Sequence, residues 1–290
     1  MRNRGIIYRN TGERGRGIMR GYHNSPSALR LNEGASKYDV KTARGKVKPL
    51  PSGAFKSNYA IGFEVEKQRF HNSNMVQEYP LFKGFESDSS CGVEAVTNIL
   101  PLLPNGVWRN KIFDMMYNAR VILDDETSPS NTNCGGHITI SVDADIITPS
   151  RLYEQLRGNA GLILSLFRRR LRNSYCCGNP RMILDNASGN RYQVALLKRH
   201  TNSIEFRLPS RIISHKQMMR RYRLFYEFVD FSVTRPHARF SAFLNKCKPI
   251  LLEIYSNDIE RTNETLKLAK HFQRYINTGV VHADITSFMR

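Results

Sequence analysis

The sequence has no uninterrupted apolar run of about 18–20 residues, so a membrane-spanning helix is not expected. No apolar stretch of signal-peptide length lies near a terminus, which points to a cytoplasmic protein. There is no CxxC pair and no His/Cys zinc spacing. The five cysteines (Cys91, Cys134, Cys176, Cys177 and Cys247) are odd in number and irregularly placed. This argues against a disulfide scaffold and for a reducing compartment. Neither a Walker A loop nor a GxGxxG is present, so no glycine cradle holds phosphates here. No internal repeat at a period of roughly 20–50 residues suggests a solenoid or propeller. Acidic residues are also short: 25 Asp+Glu face 44 Lys+Arg, a formal charge of +19.

What remains is a chain of 290 residues, 40% apolar, long enough for one large domain or two small ones with a sizeable core. The charge is unevenly spread. Residues 1–57 hold 13 Lys/Arg and three acids, Glu13, Glu33 and Asp39. This segment is rich in Gly, Asn and Ser, and its tyrosines (Tyr8, Tyr22, Tyr38) are isolated. It reads as a basic arm, either a solubilising extension or an attractor of phosphate, with nucleic acid a partner open to it. Residues 58–290 read as a single body, helical in pattern from about 211.

Within the body, 59–69 alternates strictly. Ile61, Phe63 and Val65 point one way; Gly62, Glu64 and Glu66 point the other. Two carboxylates on one strand face repel each other unless water or a cation stands in front. A second β-like run covers 91–99 and contains Glu94. Residues 107–123 have helical spacing. In 134–143, Ile138, Ile140 and Val142 form a back face opposite His137, Thr139 and Ser141. Thr148-Pro149 opens a helix running to about 172, with Gly158-Asn159 a point of division. Strands follow at 192–199 and at 203–208, where Glu205 and Arg207 oppose Ile204, Phe206 and Leu208. Helices follow at 215–230, at 239–256 with Pro249 as a kink or break, and at 262–277 closed by Gly279. The fold class is α+β: a mostly antiparallel sheet with helices on one face and an open polar face forming a cleft.

Three strands thus carry one design, with Glu64 and Glu66, His137, and Glu205 with Arg207 on their polar sides. Carboxylates with an imidazole suit Mg²⁺ or Mn²⁺, and an adjacent arginine suits a phosphate oxygen. Together they are equipment for ATP phosphoryl chemistry.

Four segments in order, GFEVE (62–66), SDSSCGVEAVTNIL (87–100), NCGGHITIS (133–141) and KRHTNSIEFRLPS (198–210), resemble the amidoligase family, grouped with glutamine synthetase and glutamate–cysteine ligase among ATP-dependent carboxylate–amine ligases. The resemblance implies a glutamine synthetase-like catalytic domain and metal ligands at Glu64, Glu66, Glu94, His137 and Glu205. It implies a catalytic Arg207 on the transferred phosphate beside Glu66 and His137, and a phosphate-binding Arg199. Asp88 and Ser89 fall in the turn flanking the nucleotide and substrate. It further implies ATP and Mg²⁺, an amine and a carboxylate as substrates, and a peptide or protein as one acceptor open to such an enzyme. One departure is Thr139, where many relatives carry a second histidine. The rival reading is a basic nucleic-acid-binding or packaging protein on a catalytically degenerate ligase fold.

Overall fold

The computed structural model describes residues 40–41, 47–48, 58–72, 79–88, 91–129, 131–143, 146–176, 193–198 and 203–289. Of the basic arm it describes a two-residue antiparallel pair, β1 (Val40–Lys41) with β2 (Val47–Lys48). The alternating segment forms β3 (Tyr59–Lys67). It is joined by β4 (Phe82–Asp88), β5 (Gly92–Thr97), β6 (Leu100–Pro101), β7 (Ile138–Val142), β8 (Ala195–Lys198) and β9 (Ser203–Phe206). These seven strands make one sheet in the order β4-β5-β3-β7-β9-β8, with β6 also paired to β3; every ladder is antiparallel.

Register decides what meets on the polar face. Gly62 lies opposite Thr139, and Thr139 opposite Glu205. One row along, the Glu64 N–H donates to the His137 carbonyl at 3.1 Å, extending the ladder past the end of β7. In the next row Glu66 faces Glu94, and Glu94 faces Glu86. The other face is apolar. Its Phe206 ring packs edge-on against Phe225 and Phe228 at 5.2 and 5.7 Å, and such pairs contribute about 0.5–1.5 kcal/mol beyond the area they bury.

Those rings belong to α5 in the helical layer, whose members are α1 (Val107–Asn118), α2 (Arg120–Leu123), α3 (Pro149–Arg157), α4 (Ala160–Leu166), α5 (His215–Thr234), α6 (Phe240–Ile254), α7 (Ile259–Thr278) and α8 (Ala283–Thr286). The helical run expected over 149–172 divides at Gly158-Asn159, the expected point, and ends in a third piece. Thr148 caps α3 by accepting from the Arg151 N–H. The chain then breaks at Gly158-Asn159, where the Asn159 amide donates to Ser232 and the Gly161 N–H to Gln273, turning α4 onto α7. A 3-10 turn, Arg168–Arg172, ends the run. Pro249 does not break α6. It and Asn245, whose carbonyl it leaves without a helical donor, are both exposed, so water can satisfy that carbonyl. α7 ends as expected at Gly279, at φ 75°. Among the described residues no helix is long and apolar enough to cross a membrane.

The expectation of an open polar face needs correction. Glu64, Glu66, Glu94, His137 and Glu205 are between 1% and 6% exposed, and all nine residues of β3 are buried. His137 covers Glu64 and Glu66, and Lys198 and Arg207 cover Glu205, so this part of the face is buried under partly balanced charge.

Candidate functional site

Alternation puts Glu64 and Glu66 on one side of β3. The paired strands then set their partners. His137 stands between the two: its Nδ1 is 2.7 Å from Glu64 Oε2 and its Nε2 3.2 Å from Glu66 Oε1. The other Glu66 oxygen accepts the Gly135 N–H at 2.5 Å. On β9, Glu205 receives Arg207 Nη1 at 2.6 Å on one oxygen and Lys198 Nζ, from β8, on the other. Four carboxylates therefore share two permanent cations and one imidazole. For His137, Lys198, Arg207 and Glu205, burial works against the charged form and the neighbours outweigh it. Glu66 and Glu64 raise His137. Glu205 and Glu64 raise Lys198 and Arg207. Lys198 and Arg207 hold Glu205 below the usual carboxylate range against its burial and the charge of Glu64.

The donor atoms gather as metal-sized groups. One ligand atom each from Glu64, His137 and Glu205 lies within 4.8 Å of the others; so do those of Glu64, Glu66 and Glu94. The two groups share Glu64. Carboxylate oxygens suit a hard divalent ion, and the imidazole admits Mn²⁺ as well as Mg²⁺. The Thr139 hydroxyl is buried on the same face without a hydrogen-bond partner, a further oxygen for a ligand. The residues present thus fit the cations the sequence implied.

The remaining predicted residues divide. Asp88 sits at the β4–β5 turn, where its carboxylate accepts the Cys91 N–H at 2.8 Å and groups with Glu66 and Cys91. It stands on the Glu66 side of the cluster, away from the group of Glu64, His137 and Glu205. Ser89 and Arg199 lie outside the described residues. Sequence reasoning missed Lys198, whose neighbour Arg199 drew the phosphate-binding assignment. The signal was there: Lys198 is an even-numbered partner of Leu196, which registers with Glu205.

A thiol pair adjoins the cluster. Cys91 and Cys134 neighbour each other; Cys91 Sγ lies 3.9 Å from the Val93 carbonyl oxygen, and Cys134 Sγ lies 3.6 Å from the Asn131 side-chain oxygen. The Cys91 S–H lowers the Cys134 thiol, burial opposes this, and the Asn131 backbone assists, for a net shift below the ordinary range. Cys91 is raised in turn by the neighbouring Cys134 thiol and by burial. Thiolate therefore forms on Cys134 first as pH rises. The ultraviolet thiolate absorbance is expected to show a midpoint below the free-cysteine value of about 8.5. That component should vanish in Cys134→Ser and move up in Cys91→Ala; a midpoint unmoved by Cys91→Ala would contradict the pairing.

No family model matches the chain, and no curated protein matches it. Among solved structures, one titled as a GmaS/ADP complex in its first conformation matches over 80% of this chain and 67% of that one, at 11% identity and a TM-score of 0.33.

Proposed function

We propose that this protein is an ATP- and divalent-cation-dependent ligase that joins a carboxylate to an amine through an acyl phosphate, on a glutamine synthetase-like sheet. The observation that carries the reading is the pair of ligand groups sharing Glu64, assembled by register from four strands with an arginine at their edge. Glu64, Glu66, Glu94, His137 and Glu205 are the residues that would hold the cations, which supply charge neutralisation at the phosphates.

The protein's own groups do the positioning. Gly135 fixes the Glu66 carboxylate from the backbone. His137, held between Glu64 and Glu66, sets the orientation of both. Arg207, fastened by Glu205, is aimed from the end of β9 and offers its planar donors to phosphoryl oxygens. The Thr139 hydroxyl is placed to donate to a substrate oxygen. Residues 58–290 form the catalytic body and 1–57 an extension of it, which in this reading recruits an acidic acceptor protein or nucleic acid.

The test is a melting experiment with Mg²⁺ and a non-hydrolysable ATP analogue, followed by ADP release against pools of carboxylates and amines. A ligand at 100 times its Kd is expected to stabilise the fold by about 2.7 kcal/mol. Glu64→Gln should erase both the shift and the turnover. Retention of both in Glu64→Gln would overturn the reading.

A further inference from the structure

Beside the carboxylate face lie two cavities of about 870 and 640 Å³ that share Arg169, Arg170, Ser210 and Gln217 in their walls. The larger runs between the 3-10 turn, α5 and α7, and mixes arginines with Asp258, Glu260 and Glu264. The smaller lies under the 131–134 loop. Arg169, Arg170, Arg172 and Arg211 line it; among the described residues the rest of its wall is Asn, Ser, Thr, Gln, Cys134 and Ile213, with no acid.

Two of the guanidiniums around these cavities are buried without a counter-charge. Arg170 is 8% exposed; its Nη1 donates to the carbonyls of Thr132 and Cys134, and its Nε has no partner. Arg221 is 4% exposed and donates only to the Ser210 carbonyl and hydroxyl and the Arg211 carbonyl. Among the described residues no carboxylate pairs with either. Burial, then the charge of Arg170, pushes Arg221 down to about 9. A buried charge is ordinarily paired, and here the acceptors are all neutral.

We infer that the smaller cavity is a binding site for a compact polyanion bearing several phosphate groups, held by Arg169, Arg170, Arg172 and Arg211. The volume selects the ligand. Four guanidiniums surround about 640 Å³, whereas an extended acidic peptide advances about 3.3 Å per residue and turns alternate carboxylates away. A condensed phosphate chain brings its whole charge into that space and matches the bidentate donors of arginine. The inference does not depend on the ligase reading, because it uses none of the carboxylate cluster.

The experiment is calorimetric titration of the intact chain with tripolyphosphate. The protein is freed of metal on a chelating resin and kept at about 50 mM salt, where screening is weak. Arg169→Gln with Arg172→Gln, both exposed positions, is expected to weaken binding about tenfold or more. Lys248→Gln with Lys270→Gln removes equal charge from exposed sites on α6 and α7 and should change it less than about twofold. Glu64→Gln should leave it intact, so a ligase reading that fails does not carry this site with it. Three results would overturn the inference: no binding of tripolyphosphate, equal weakening by the two double variants, or a short oligoglutamate that displaces tripolyphosphate.

Discussion

Glu205→Gln should lower the stability of the ligand-free protein by about 3 kcal/mol, read as the shift in a urea midpoint at unchanged slope. Breaking a buried ion pair by removing one partner costs about 3–5 kcal/mol, because the survivor stays uncompensated. Glu205 has two survivors, Lys198 and Arg207, one on each oxygen. The lower end of the range applies because the Lys198 side chain is 25% exposed and can swing toward water. pH gives a second, independent reading. Glu205 is held below its ordinary range in the fold, so its contribution is complete above the unfolded pKa of about 4.3 and is lost as pH falls through the folded value. The gap between wild type and Glu205→Gln should therefore be constant at neutral pH and close under acid. Glu94→Gln is the contrast. Glu94 lies directly opposite Glu66, and like charges so placed destabilise by about 0.2–1 kcal/mol. Removing that charge should cost the ligand-free protein far less than Glu205→Gln does. If both glutamines destabilise equally, Glu205 is not the pivot of the charge network.

The same contrast explains what the sequence could and could not disclose. Alternation is a property of one strand, so the polar side of β3 and the pairing of Glu205 with Arg207 were legible without any partner. Charge balance belongs to rows across strands, and rows depend on register. Lys198 closes on Glu205 only because Leu196 registers with it, and the apolar run around Leu196 masks the alternation of β8. β4 escaped notice because Gly84 and its charged residues break the pattern of a strand; its pairing with β5 supplies the order instead. The closed polar face follows from the same cause, since the cations that close it come from β8, from the end of β9 and from the 135–137 turn. The counter-charge missing from Arg170 and Arg221 was wholly invisible, being a statement about residues that are not neighbours. Thr148, Pro149 and Gly279 were legible because caps act within four residues of chain.

The two glycines before His137 should separate the fold from the site. A Cβ on Gly135 would lie 2.8 Å from His137 Nε2 and 2.9 Å from Glu66 Oε1, both ends of side chains. Those groups can yield by a fraction of an ångström, but they are the ones that hold the cluster in order. Gly135→Ala should therefore keep most of its stability and lose the Mg²⁺-dependent melting shift. A Cβ on Gly136 would meet the Ser210 carbonyl at 2.3 Å and Arg221 Nη1 at 2.7 Å. The carbonyl is backbone, and the chain there is already fixed by the bridge between Gly135 and Ser210 and by the Gly136 N–H to the Pro209 carbonyl at 3.0 Å. The carbonyl cannot yield as a side chain does. Overpacking of this kind costs about 1–3 kcal/mol and more where backbone must shift, so Gly136→Ala should fall at or beyond the upper end. Because Ser210, which lines the smaller cavity, would be displaced with it, Gly136→Ala should also weaken tripolyphosphate binding, which Gly135→Ala should not. Urea denaturation, the Mg²⁺ melting shift and tripolyphosphate titration on the two variants give three readouts. If Gly135→Ala keeps its Mg²⁺ response, the Gly135–Glu66 contact does not organise the site. If Gly136→Ala is as stable as wild type, the bridge to Ser210 is looser than its geometry requires.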